Sequence, residues 1–275
     1  MKLLCSTGAV IGLANGRNYK LLREIGSHID CDGFEFMMYS TWYEEAEEII
    51  RELKQCPFDF PVTHVEKRIG EKIASRGEGD WEEAFSKFRV NCQLAKEIGS
   101  KLLVLHLWNG MISDSNMENN IEAYPKLARI AGEYGLILTV ENVVCNHGSP
   151  MQHFKQLQEV YPEVKFTFDT KMADFHKELP LLYQNEWNWL FSEHHIRHLH
   201  VNDHRGEYMD WSCLRTLPIG EGEIDFQKFF DYIAKNQYDE MITYEASGLM
   251  ADGTVDYDKI NQSLAKIRKF KKETA

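Results

Sequence analysis

Long hydrophobic runs are absent from this sequence. No stretch approaches the roughly 20 apolar residues that a membrane-spanning helix needs. The first residues, MKLLCSTGAV, break off before they could form the apolar core of a secretion signal. The six cysteines include no C-x-x-C pair, so we expect reduced and mostly buried thiols. These absences predict a cytoplasmic protein that has no membrane partner.

Positive charge is also scarce. Lysine and arginine total 31 against 43 aspartate and glutamate residues, which gives a formal net charge of -12. An acidic surface repels phosphate backbones. The densest basic stretch, Lys266 to Lys272, lies on a predicted helix, where it is typical of a solvated face. The composition therefore disfavours nucleic acid as a partner.

What the sequence does contain is a regular alternation of short apolar strands and longer amphipathic stretches. The strands are predicted at residues 2–7, 33–39, 60–65, 101–107, 137–141, 165–168, 196–201 and 241–245. Repeated βα units imply parallel strands with right-handed crossovers, and eight such units close a barrel. No G-x-G-x-x-G motif follows the first strand, which argues against an open nucleotide-binding sheet. Because no Pro- or Ser-rich linker interrupts the pattern, we predict an α/β protein with one domain over 1–275, a single (β/α)8 TIM barrel.

Polar side chains end six consecutive predicted strands. The carboxyl ends of barrel strands meet at one mouth, where catalytic residues collect. The side chains concerned are His64, His106, Glu141, Asp169, His200 and Glu245. Carboxylates packed together raise one another's pKa, and a charged group in an apolar strand is costly unless it is paired or binds a metal ion. A divalent cation would remove both problems.

We therefore predict a divalent metal site. Its four ligands are Glu141, Asp169, His200 and Glu245. Three oxygens and one nitrogen suit Mn²⁺, Mg²⁺, Co²⁺ or Zn²⁺, and Mn²⁺ is the first choice because it tolerates mixed carboxylate and imidazole coordination. His64 and His106 have two interpretations that the sequence leaves open. Either they bind a second metal ion with Glu141 as the bridge, or they hydrogen-bond substrate hydroxyls.

Five runs of residues near the predicted strand ends form a specific set: TVEN, FTFD, HLHVND, PIGEGEIDF and TYEAS. Through them the chain resembles the xylose-isomerase-like barrels over nearly its whole length. That superfamily includes sugar isomerases and epimerases, inosose dehydratases and isomerases, dehydroshikimate dehydratases and metal-dependent apurinic-site endonucleases. By this resemblance the four predicted ligands match the metal ligands shared by the epimerase-like members. His64 and His106 match positions that bind an additional zinc ion in the endonucleases.

The chain departs from the endonucleases in two places. Their sixth strand usually has a histidine three residues after the aspartate, where this chain has Met172. Their loop before the GEG motif carries an aspartate and a histidine for a third zinc ion, and this chain has Leu214, Arg215 and Thr216 there. A third metal site is therefore not expected. Met172 also departs from many sugar epimerases, in which the histidine contacts substrate.

The leading functional hypothesis is a metal-dependent isomerase or epimerase acting on a sugar, a sugar phosphate or a polyol. A metal ion that chelates a carbonyl and an adjacent hydroxyl would acidify the neighbouring carbon-bound proton and hold the resulting enediolate. Glu141 and Glu245 approach from different strands, so one could remove the proton and the other return it. We expect Trp108, Lys171 and Arg215 to contact a carbohydrate-like substrate, with Trp108 as the floor of the pocket.

Three alternatives stay open. A metal-dependent dehydratase or lyase would share the proton abstraction and then expel a β-hydroxyl from a related hydroxy-ketone. An endonuclease-like barrel would act on abasic DNA, and a non-catalytic barrel would use the metal only to hold a ligand. A homo-oligomer is a further open prediction, because the pattern leaves Trp187 and Trp189 exposed.

Overall fold

The computed structural model describes residues 1–109 and 114–273. Within these residues the strands are β1 (Lys2–Ser6), β2 (Phe34–Met37), β3 (Val62–His64), β4 (Leu102–Leu105), β5 (Ile137–Glu141), β6 (Lys165–Asp169), β7 (Ile196–His200) and β8 (Met241–Tyr244). They form a closed barrel in which the order of the strands follows the chain from β1 to β8. The prediction of a (β/α)8 TIM barrel is confirmed. Each predicted strand boundary lies within about two residues of the observed one, which is the usual uncertainty of an element end.

The α-helices of the described residues include two that the alternating pattern does not predict, at Ile69–Ser75 and Thr170–Phe175, and two further regions depart from that pattern. The helices are α1 (Leu22–Ile25), α2 (Ala46–Leu53), α3 (Ile69–Ser75), α4 (Asp80–Glu97), α5 (Met117–Glu133), α6 (Pro150–Val160), α7 (Thr170–Phe175), α8 (Trp189–Ser192), α9 (Phe226–Lys235) and α10 (Tyr257–Glu273). Gly99 and Gly135 follow α4 and α5 with φ of 88° and 75°. This left-handed backbone is open to glycine, which is why both helices stop there.

The first departure is near the N-terminus, where α1 is a short helix between 3₁₀ turns. The second lies between β6 and β7. The apolar pattern of residues 181–191 predicts one helix there, whereas the structure has two 3₁₀ turns, Leu179–Tyr183 and Asn185–Trp187, before the short α8. Trp187 is buried at 7% exposure, so the prediction that it is exposed is wrong.

Contacts divide the chain into two compact units, which we describe separately. Unit 1 comprises Met1–Phe34, Cys56–Phe58 and Phe168–Ala275, and unit 2 comprises Glu35–Gln55 and Asp59–Thr167. In unit 1, β8 pairs in parallel with both β1 and β7. In unit 2, β2, β3, β4, β5 and the first part of β6 pair in succession. All four residues of β4 are buried, as expected for a parallel strand that is covered on both faces. One domain over 1–275 stays a prediction.

The cysteines are free, and Cys5, Cys92 and Cys145 are buried. Burial raises the pKa of Cys92 to about 12. This side chain is therefore a neutral thiol that packs as a small apolar group. Among the helices of the described residues, none has the length and apolar character required to span a membrane.

Candidate metal centre

Three of the predicted residues come together in unit 2. His64 ends β3, His106 follows β4 directly and Glu141 ends β5. His106 Nε2 lies 2.8 Å from Glu141 Oε2, and His64 Nε2 lies 3.4 Å from the same oxygen. The two imidazole rings are 4.8 Å apart between centroids, and all three side chains are buried. These three residues could hold a metal ion, since each offers a ligand atom within 4.8 Å of the others.

Strand register explains this meeting. Leu105 of β4 pairs with Val140 of β5, so the next residue of each strand, His106 and Glu141, face each other at the barrel end. His64 of β3 pairs with Val104, which is two residues before His106 and therefore on the same face of β4. The sequence order of the strands and a regular register are enough to bring the three side chains together.

The orientation of His106 is fixed by a short chain of hydrogen bonds. Glu71 Oε1 accepts a hydrogen bond of 2.7 Å from the Asn109 amide nitrogen, which turns the amide oxygen of Asn109 toward His106. That oxygen is 3.0 Å from His106 Nδ1. Because an amide oxygen only accepts, Nδ1 carries the proton. Burial lowers the pKa of His106 to about 4, against the opposing effect of Glu141. A neutral His106 therefore directs the lone pair of Nε2 at Glu141.

His64 repeats this arrangement. Its Nδ1 lies 2.8 Å from the backbone oxygen of Val65, an acceptor, so the proton is again on Nδ1 when the ring is neutral. The lone pair of Nε2 then faces the same Glu141 oxygen. Lone pairs from two imidazoles and a carboxylate pointing at one another require a cation or a proton between them. Imidazoles whose other nitrogen donates to a fixed acceptor are typical of metal ligands.

In unit 1, Asp169 has two roles because it ends β6 and begins α7. Its Oδ1 accepts hydrogen bonds from the backbone N–H groups of Lys171 (2.6 Å) and Met172 (3.1 Å), so it is the N-cap of α7. The other oxygen, Oδ2, accepts a 3.2 Å hydrogen bond from the side-chain amide of Asn202. The N-cap hydrogen bonds fix the orientation of the Asp169 carboxylate. Its Oδ2 therefore remains directed at Asn202.

Asn202 joins Asp169 to Glu245. Its amide nitrogen also donates to Glu245 Oε2 at 2.8 Å, and its amide oxygen accepts the backbone N–H of Glu245 at 2.9 Å. His200 Nδ1 is 3.4 Å from Glu245 Oε2 and 4.0 Å from Asp169 Oδ2. His200, Asp169 and Asn202 have no exposed surface. The carboxylates of Asp169 and Glu245 and the imidazole of His200 therefore lie close together around the amide of Asn202.

Asn202 and Asn109 are residues of the candidate site to which sequence reasoning assigned no role. Both are polar residues just beyond a predicted ligand, two positions after His200 and three after His106. That position is the signal that could have indicated them. Their role depends on the amide direction, which only the surrounding hydrogen bonds define.

The PIGEGEIDF run forms a loop that a buried carboxylate holds in unit 1. Asp203 accepts hydrogen bonds from the backbone N–H groups of Gly220 (2.8 Å), Gly222 (2.9 Å) and Ile224 (3.2 Å). A Cβ on Gly222 would lie 2.2 Å from Asp203 Oδ1, so glycine is required for this close approach. Asp203 is thus a loop anchor.

A second group with the composition of a metal site lies in unit 2 and consists of Asp114, Cys145 and His153. Asp114 already accepts backbone hydrogen bonds from Asn146, His147 and Gly148 at 2.7–3.1 Å. Burial alone would raise the pKa of Asp114, but these donors hold it below its usual value. A carboxylate stabilised by several N–H groups does not need a cation. We therefore interpret Asp114 as the anchor of the loop after β5.

Trp108 corrects an expectation. It is fully buried, donates its indole N–H to the backbone oxygen of Val143 at 2.7 Å and packs on the rings of His153 and Phe154. A side chain with no exposed surface cannot be the floor of a pocket, so Trp108 is a packing residue. The reason is that the strand-end rule predicts which residues come near the mouth but not which way a residue beyond the strand turns.

The two cationic candidates for substrate contacts lie in unit 1. Lys171 is buried at 8% exposure, and its ammonium group donates to Thr216 Oγ1 at 3.2 Å. Arg215 is exposed and lines an open cavity of about 240 Å³ beside the loop after β7. Their roles as substrate contacts stay predictions.

Comparisons with known proteins agree with the barrel. The 3-keto-D-glucoside 4-epimerase YcjR from E. coli superposes with a TM-score of 0.70 at 16% identity, covering 98% of this chain and 99% of that one. The IolI protein with a bound zinc atom gives 0.72 at 14% identity over 100% and 99%. A D-allulose 3-epimerase from Methylomonas sp. in complex with D-allulose gives 0.70 at 15% identity over 98% and 96%.

A curated relative is more similar in sequence over a shorter span. An uncharacterised protein of Methanocaldococcus jannaschii is 26% identical over 141 residues, which are 50% of this chain and 51% of that protein. The chain thus matches about half the length of that relative. The family model described as xylose isomerase-like TIM barrel matches residues 20–268. This chain belongs to the xylose isomerase-like TIM barrel family.

Proposed function

We propose that this protein is a divalent-metal-dependent isomerase or epimerase of a sugar-like substrate. The proposed metal ligands are Glu141, Asp169, His200 and Glu245. The observation that carries the proposal is the buried group of unit 1, in which Asn202 binds one oxygen of Asp169 and one of Glu245 beside His200. Asn202 is neutral, so it orients the two carboxylates without cancelling their charge. The donor set fits a metal ion, because Asp169, Glu245 and His200 could hold a divalent cation that would supply the missing charge.

Glu141 is the proposed fourth ligand because its run TVEN resembles that of the epimerase-like barrels, in which this position is a shared metal ligand. In unit 1, His200 pairs with Thr243, two residues before Glu245, so strand register supports the pairing of these two ligands.

Three carboxylates and one imidazole favour Mn²⁺, with Mg²⁺, Co²⁺ and Zn²⁺ as alternatives. When bound, the ion supplies Lewis acidity to a carbonyl oxygen of the substrate. His64, His106 and Glu141 would hold an additional ion, since the two imidazole Nε2 atoms lie 3.4 and 2.8 Å from Glu141 Oε2.

Proton transfer falls to Glu245 and Glu141 in this proposal. Asp169 is a poor base because its Oδ1 accepts two backbone hydrogen bonds, which stabilise the charged form. The side chain of Glu245 keeps 13% exposure, whereas that of Glu141 keeps 2%. Glu245 therefore takes the proton from the carbon beside the substrate carbonyl, and Glu141 returns one on the other side. The abstracted proton leaves Glu245 for solvent and the proton that Glu141 delivers comes from solvent, so solvent deuterium is expected in the product.

The choice of an isomerase or epimerase also rests on the fold relatives, two of which are described as sugar epimerases. The same proton abstraction followed by loss of water would be a dehydratase. Product mass separates the two reactions, because only dehydration removes a water molecule.

The test is an assay of the purified protein in D₂O with a panel of ketoses and keto-polyols. We expect co-purified or added Mn²⁺ to support epimerisation, with deuterium at the carbon that inverts. A chelator should abolish the exchange, and Mn²⁺ should restore it. Absence of bound metal together with absence of deuterium exchange on every substrate would overturn the proposal.

A further inference from the structure

Unit 1 contains a buried lysine, Lys171, whose ammonium group has only a neutral partner among the described residues. Lys171 is 8% exposed, and its Nζ donates one hydrogen bond, to the neutral hydroxyl of Thr216 at 3.2 Å. Across residues 1–109 and 114–273 we find no carboxylate within 4.0 Å of this Nζ. Lysine is almost never buried unless it is paired, because desolvating the charge is costly. A negative group beside this ammonium group would therefore offset the cost of its desolvation.

A lysine nearby in the sequence makes the contrast plain. The side chain of Lys177 is 39% exposed, yet it forms an ion pair of 3.2 Å with Asp174. Water would solvate Lys177 without that partner. The lysine that needs a carboxylate is the one that has none among the described residues.

Lys171 stands next to the proposed metal ligands. Its own backbone N–H caps Asp169 at 2.6 Å. Thr216 directly precedes Leu217, whose backbone N–H and carbonyl pair with Asp203, three residues beyond His200. The ammonium group thus lies between the start of α7 and the loop after β7, both of which begin at strand ends that carry ligands.

We propose that Lys171 binds an anionic group of the substrate, a carboxylate or a phosphate, so that the substrate is an acidic sugar. This inference rests on the proposed function, which it deepens by naming the substrate class. The protein carries a net charge of -12, which repels anions at long range. A buried local cation is then the feature that selects an anionic substrate over its neutral counterpart.

Arg205 and Arg215 are less suited to this role. Both line the open cavity of about 240 Å³ on the loop after β7. The same cavity is lined by three acidic residues, Glu207, Asp210 and Glu223. Their carboxylates supply negative charge close to the arginines, and both arginines are exposed to water. The anion is therefore assigned to Lys171.

Calorimetric titration of the metal-loaded protein tests the proposal with three keto-sugar probes, one neutral and two anionic. The probes are D-ribulose, D-ribulose 5-phosphate and 2-keto-D-gluconate. We expect wild-type protein to bind at least one anionic probe about ten- to a hundredfold more tightly than D-ribulose, as expected for a charged hydrogen bond. The phosphate and carboxylate arms identify which anion is preferred.

Variants locate that preference. Lys171→Gln should abolish the difference between the anionic and neutral probes, and Lys171→Arg should restore part of it. Lys177→Gln, in the exposed lysine of the same segment, is the matched control and should keep the wild-type ratio. If Lys171→Gln does not fold, Lys171→Arg and competition by inorganic phosphate on the wild type give the same answer.

Equal binding of neutral and anionic probes by the wild type, or an unchanged ratio in Lys171→Gln, would overturn the inference. Failure of the proposed function is a different result. If anion binding depends on Lys171 but no probe exchanges deuterium in D₂O, the anion site stands and the isomerase proposal fails. If neutral ketoses turn over and anionic ones have no advantage, the isomerase proposal stands and the anion site fails.

Discussion

The polar groups at the strand ends of the two units differ in composition. Unit 2 offers two imidazoles and one carboxylate, with His106 Nε2 and His64 Nε2 facing Glu141. Unit 1 offers two carboxylates and one imidazole, with Asp169 and Glu245 beside His200. Nitrogen-rich sets suit zinc-like ions, whereas oxygen-rich sets suit Mn²⁺ and Mg²⁺. From this difference we predict different metal preferences for the two groups.

The means of orientation differ as well. In unit 2 each imidazole is held by its own acceptor, Val65 O for His64 and the amide of Asn109 for His106. In unit 1 a single residue, Asn202, holds both carboxylates. One substitution can therefore disturb two ligands in unit 1, but only one ligand in unit 2.

The largest expected effect is on Glu245, the proposed base of the oxygen-rich group. Glu245→Gln keeps the size of the side chain and removes the carboxylate that takes the proton. We expect kcat to fall by about 10²–10⁴-fold, measured as deuterium exchange on a turned-over ketose. Glu163→Gln, a change in an exposed glutamate, is the control and should leave kcat unchanged. Full activity in Glu245→Gln would rule out the two-glutamate scheme.

The comparison between the groups becomes sharper with His106→Ala. This change removes one imidazole of the nitrogen-rich group, so we expect loss of the additional ion while the ion of the oxygen-rich group stays. Elemental analysis of the protein should show a drop from two ions per chain to one, and kcat should fall less than in Glu245→Gln. His147→Ala, an exposed histidine, is the control. One ion in both wild type and variant would mean that His106 serves the substrate instead.

The two asparagines give a direct comparison of orienting residues. Loss of a partner that orients metal ligands typically weakens metal affinity by about 10–100-fold. We expect Asn202→Ala to lie at the upper end of this range because two carboxylates lose their partner, and Asn109→Ala to lie at the lower end. Competition with a chelator measures both affinities, and Asn185→Ala on the exposed surface is the control. The reverse order would contradict the difference drawn between the units.

The smallest expected effect on activity concerns Trp108. Trp108→Phe removes the indole N–H and leaves the buried oxygen of Val143 without this donor. We expect the free energy of unfolding to fall by about 1–3 kcal/mol, measured by denaturant unfolding, with kcat/KM unchanged. A large rise in KM with normal stability would return Trp108 to the substrate pocket.

Much of the candidate site could be predicted because the carboxyl ends of the strands can be recognised in the sequence. An apolar run that stops at a charged residue indicates both the strand and its carboxyl end, as in the run that ends at Glu141. The helix over 181–191 could not be predicted correctly, since Leu182, Trp187 and Leu190 are buried without regular helical spacing. Apolar residues at helical spacing indicate a helix only when those residues are the ones that pack against the protein core.

The sequence by itself determined the barrel, its strand order and the residues that stand at the strand ends, because apolar periodicity and chain order are local properties. Only the tertiary structure decided that His64 and His106 both face Glu141, that Asn202 binds two carboxylates, that Trp108 is buried and that Lys171 lacks a counter-charge among the described residues. These relations depend on strand register, rotamers and hydrogen-bond direction between residues far apart in the chain. For the predicted metal ligands, the structure identified the asparagine amides that orient them. It also showed that the strand-end residues form two groups, one rich in imidazole nitrogen and one rich in carboxylate oxygen.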